Sequence, residues 1–73
     1  MDNLIELTEL ELKMLKLDLK GRFYPMTATD EEFAALNSVI EKAQKLMEEL
    51  NAYDELGSSL MKWFFRKYQE QQK

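Results

Sequence analysis

The side chains available for chemistry are carboxylates, lysines, tyrosines and hydroxyls, because the 73 residues include neither histidine nor cysteine. Without histidine the chain lacks the commonest general base, the commonest metal ligand and the side chain that titrates near neutrality. Without cysteine it has no thiol nucleophile, no thiolate metal site and no disulfide. Asp30, Glu31 and Glu32 form the densest acidic cluster. Consecutive residues on a helix point in different directions, so the three cannot converge on one ion or form an acid–base pair. Helix capping and the macrodipole account for them. Glu48, Glu49, Asp54 and Glu55 form a second acidic patch, read as a solvated surface. Tyr24, Tyr53 and Tyr68 have no activating base in view, and no glycine-rich loop is present to cradle a phosphate. The expectation is a chain that is not an enzyme, with no cofactor, no metal and no small-molecule substrate.

The chemistry that remains is recognition, and it concentrates near the C-terminus. Trp63, Phe64, Phe65 and Tyr68 supply half of the eight aromatic residues within six positions, interleaved with Lys62, Arg66 and Lys67. At 3.6 residues per turn, four such positions cannot all face a single neighbour. Either the fold wraps this segment or a partner covers part of it. Aromatic residues, methionine and arginine are the types enriched at interface cores. On this basis Lys62, Trp63, Phe65, Arg66 and Tyr68 are the expected partner-binding residues, and a homodimer or other protein complex is the expected assembly. An alternative is a nucleic-acid-associated accessory or regulatory protein that stacks bases on the same aromatics. Three clustered cations in a chain of net charge −4 argue against that alternative. Binding to a membrane surface through the same amphipathic helix is equally thinly supported.

Three helices must position these residues. Composition gives 45% hydrophobic and 33% charged residues, a globular balance, and only two glycines and one proline punctuate the chain. The length fits a single domain spanning residues 1–73, close to the lower limit for independent folding. In the first segment Leu4, Leu7, Leu10, Met14 and Leu17 recur at helical steps, with Leu12, Leu15 and Leu19 beside them. Asn3 and Glu6 have capping-box spacing, and Gly21 suits a helix exit, so the first helix is expected over about 4–20. Leu10–Leu19 also alternates like a strand, but its leucine, lysine and glutamate content favours helix.

Arg22-Phe23-Tyr24-Pro25-Met26 interrupts the pattern, and its apolar residues are expected to fold under the bundle as a lid. Thr29 and Glu32 form another capping box. From there Phe33, Leu36, Ile40, Ala43, Met47 and Leu50 define a seam over about 30–50. The next boundary has three readings: Asn51 with Asp54 starting a third helix near 52, Leu56-Gly57 ending the second with Ser58 capping the third, or one continuous helix. A break between 51 and 58 is preferred, with a third helix over about 54–69. The expected architecture is all-α, a small three-helix bundle with an antiparallel first pair.

Charge is uneven along the chain. Residues 1–29 sum to −1, residues 30–56 to −6 and residues 57–73 to +3, a polarity suited to antiparallel packing or to pairing between chains. No apolar run approaches the roughly 20 residues needed to span a bilayer, and Met1-Asp2-Asn3 does not resemble a signal peptide. A cytoplasmic location is expected.

Overall fold

A computed structural model describes residues 4–55 and 59–72. Three helices are present: α1 over Glu9–Leu19, α2 over Asp30–Leu50 and α3 over Leu60–Gln71. Single 3₁₀ turns at Pro25–Thr27 and Tyr53–Glu55 interrupt the two connections. The expected three-helix bundle is therefore the observed one.

The boundary of the first helix differs from the expectation. α1 starts at Glu9, and residues 4–8 run outside it as a strap. Thr8 and Glu11, four residues into the leucine pattern, form the capping box in use: Glu11 N–H donates to Thr8 Oγ1 at 3.1 Å and Thr8 N–H donates to Glu11 Oε1 at 2.9 Å. Asn3 lies outside the described residues, and Glu6 is not helical. Leaving residues 4–8 outside the helix lets Ile5 reach the core, where it is 8% exposed.

Gly21 closes α1 as expected. Its φ is +70°, Gly21 N–H donates to Asp18 C=O and Arg22 N–H donates to Leu17 C=O, which is the Schellman arrangement. α2 spans the expected 30–50, begins with the Thr29/Glu32 capping box and ends the same way as α1, with an asparagine in the glycine role. Asn51 has φ +50°, Asn51 N–H donates to Glu48 C=O and Ala52 N–H donates to Met47 C=O. This left-handed residue breaks the helix that the uninterrupted apolar period alone would extend. α3 starts later than expected, at Leu60, where Ser59 Oγ accepts from Lys62 N–H at 3.0 Å. Leu56, Gly57 and Ser58, the alternative boundary, lie outside the described residues.

The first pair is antiparallel. Glu11 near the start of α1 bonds Ser38 and Lys42 around the middle of α2, whereas Met14 and Leu17 further along cluster with Ala35 and Leu36 nearer the start of α2. Ala35, Val39 and Ala43 recur every four residues on the buried side of α2, and these small side chains allow the other elements to approach its backbone closely. The main core joins Leu15, Val39, Ala43, Leu46 and Met47 to Trp63 and Phe64 of α3, with Ile5 and Ala52 sealing the edges.

Candidate functional site

On α3 the aromatic residues divide sharply. Trp63 is 2% and Phe64 is 1% exposed, so both belong to the core. Phe65 and Tyr68 are half-buried and pack against that core, while Lys62 and Arg66 are exposed. Lys67 Nζ sits 6.0 Å from the centre of the Trp63 ring and 3.9 Å from Glu70 Oε1. Of the five residues expected to meet a partner, Trp63 is thus enclosed by its own chain, and Phe65 and Tyr68 offer only part of their surface. The neighbours that a single facing helix could not supply are α1, α2, Ala52 and the strap. Gln71 at the end of α3 fastens that strap: its Oε1 accepts from Ile5 N–H at 2.8 Å and its Nε2 donates to Ile5 C=O.

The lid expected at Phe23–Met26 forms only at Phe23, which packs against the Met14–Ala35–Leu36 cluster. Phe23 is half-buried and meets Phe33 edge-on, with ring centroids 5.5 Å apart. Tyr24 is 62% and Met26 is 98% exposed. Pro25 opens the 3₁₀ turn, and Tyr24 C=O accepts from both the N–H of Thr27 (3.1 Å) and its Oγ1 (3.2 Å), so the strip stands on a defined scaffold. Trp63, Phe64 and Ile5 fill the main core without any contribution from Tyr24 or Met26. Met26 and Tyr24 in this α1–α2 connection are among the most exposed large apolar side chains described, with Leu4 and Tyr53 elsewhere on the surface.

A cleft of about 280 Å³ lies between the strap, α2 and α3. Buried Ile5, Leu46 and Phe64 form its floor, and exposed Leu4, Glu6, Lys45 and Glu49 form its rim. Lys42 also lines it, with its ammonium donating to Glu6 C=O at 2.7 Å and to Glu11 Oε1 at 2.9 Å.

Glu11 is the one buried ionisable residue among those described, at 6% exposure. Burial pushes its pKa up, but hydrogen bonds from Ser38 Oγ, Lys42 Nζ and Thr8 N–H outweigh that effect and lower it to about 2. A fully satisfied carboxylate that is ionised at neutral pH serves as a structural anchor and is a poor proton acceptor. The Thr8-to-Glu11 capping-box spacing is the sequence signal that marks this residue. Asp30 and Glu31 are exposed in the first turn of α2, and Glu32 completes its cap, as expected. Among the described residues no three histidine, cysteine or acidic side chains are placed to share a metal ion.

No helix among the described residues is long and apolar enough to cross a membrane. Comparison of the chain with protein-family models, with curated proteins and with solved structures gives no match.

Proposed function

We propose that this protein is a small non-enzymatic interaction module that self-associates, using Tyr24 and Met26 as its exposed anchors with Phe23 and Phe33 beneath them. The observation that carries this reading is the near-complete exposure of Met26 beside an exposed tyrosine on an ordered turn. Adjacent exposed apolar side chains of these types mark interfaces, and a turn ordered before binding lowers the entropy lost on docking.

A second copy is the occupant favoured by charge. Lys20 and Arg22 precede the strip, while Asp30 and Glu31 follow it. A border of both signs can pair with another copy of itself, whereas a border of one sign would repel its twin. Phe65 and Tyr68, with Lys62 and Arg66 beside them, supply a subsidiary edge on α3. A strip of so few residues falls short of the ~800 Å² per partner of a stable complex, so the association is weak and transient. The cysteine-free composition suits a reducing compartment, and the cytoplasm is the proposed location.

Light scattering from micromolar to millimolar chain concentration tests the reading. The average mass is expected to rise with concentration, and Met26→Asp is expected to hold the chain at its single-chain mass. A native chain that stays single throughout, or a Met26→Asp chain that associates equally well, overturns it.

A further inference from the structure

The strip and the cleft lie toward opposite ends of the molecule. Phe33, beneath the strip, is in the first turn of α2, and Glu49, on the cleft rim, is in the last. Sixteen residues of helix separate them, about 24 Å at 1.5 Å per residue. The two features also match in chemistry. The strip presents a flexible thioether side chain on a rigid turn, and the cleft presents a floor of Ile5, Leu46 and Phe64. Methionine adapts to irregular apolar cavities and makes favourable contacts with aromatic rings. Lys20 and Arg22 beside the strip have counterparts in Glu6 and Glu49 on the rim, and Asp30 and Glu31 have one in Lys45.

We infer that self-association is head-to-tail: Met26 of one copy enters the Ile5–Leu46–Phe64 cleft of the next. This rests on the self-association reading above and specifies the surface that receives the strip. A contact between two different patches does not use up either partner's remaining sites. The assembly therefore continues past two chains, as a closed ring or an open series according to the rotation between neighbours, whereas pairing of one strip with another strip stops at a two-fold dimer.

Complementation between two defective chains tests the geometry. Met26→Asp removes the insert and leaves the cleft intact. Lys45→Trp, at an exposed rim position, obstructs the cleft and leaves the insert intact. Native chain is expected to exceed the mass of two chains at high concentration. Each variant alone is expected to remain single, with association weakened at least tenfold, and an equimolar mixture is expected to form a two-chain complex that goes no further. Circular dichroism confirms that each variant retains its helices, and Leu4→Asp serves as a second cleft variant should Lys45→Trp lose them. A native chain that never associates overturns the self-association reading itself. Native association that stops at two chains, cleft variants that associate like the native chain, or a mixture that stays single overturns only the head-to-tail geometry.

Discussion

Gln71 grips Ile5 by both edges of its side-chain amide, accepting from the Ile5 N–H and donating to the Ile5 carbonyl across 66 positions of sequence. The pair imitates one rung of a β-ladder, with a glutamine side chain as the second strand. It satisfies both backbone groups of a residue whose side chain is in the core, where unpaired polar groups are costly.

Replacing Gln71 with alanine is expected to cost about 1–3 kcal/mol, because two partly buried backbone groups lose their partners. Gln71→Glu is expected to recover little, since a carboxylate accepts from Ile5 N–H but cannot donate to its carbonyl. Urea unfolding gives the energies, and amide exchange at Ile5 should accelerate in both variants.

Stability should fall in acid through Glu11. Its pKa is about 2 in the folded chain against an ordinary 4.5, so between these values the unfolded state binds more protons. The contribution is complete above about pH 5 and disappears as pH drops toward 2, amounting to roughly 3 kcal/mol. Glu11→Gln should lose a similar amount at neutral pH and flatten that part of the stability–pH curve. A native profile with no decline between pH 5 and 2 would rule out the anchor role.

Asn51 holds a left-handed conformation that glycine adopts without steric cost. Asn51→Gly should leave stability unchanged or raise it by up to ~1 kcal/mol, and Asn51→Ala should lower it by about 1 kcal/mol. The thermal midpoint of Asn51→Gly should be at or above the native value and that of Asn51→Ala below it.

Trp63→Ala should cost about 3–5 kcal/mol, enough to unfold a chain of this size, because the ring is enclosed. Met26→Ala should change monomer stability by less than about 0.5 kcal/mol, since that side chain contributes little to the folded monomer. Denaturant midpoints of the two variants measured side by side separate core from surface directly.

Local signals in the sequence were legible where chain chemistry acts within a few residues. The Thr29/Glu32 box, the seam from Phe33 to Leu50 and the exit at Gly21 locate α2 and the end of α1. The start of α1 was not legible from periodicity, because Leu4 and Leu7 fit the helical repeat that begins in earnest only after Thr8. Choosing between Asn3/Glu6 and Thr8/Glu11 as the cap depended on Ile5 reaching the core between α2 and α3, a tertiary event. The same event decided the fate of the aromatic cluster. Once the strap covers α3, Trp63 and Phe64 become interior, and of the linker only Phe23 is drawn onto a core cluster while Tyr24 and Met26 stay outside. Burial of four aromatic residues was a question of how many neighbours the fold supplies, and spacing along one helix cannot count them.

The Gln71–Ile5 clasp also orders events in time. α1 and α2 are joined by a short connection, so their docking closes a small loop, whereas the clasp requires nearly the whole chain to be in place. The helical hairpin is thus the part suited to early formation, with α3 and then the strap added to it. A contact made after the rate-limiting barrier slows escape from the native state without speeding arrival. Loss of the Gln71 amide should therefore raise the unfolding rate while refolding proceeds at its native pace, a separation that stopped-flow kinetics resolves into its two arms.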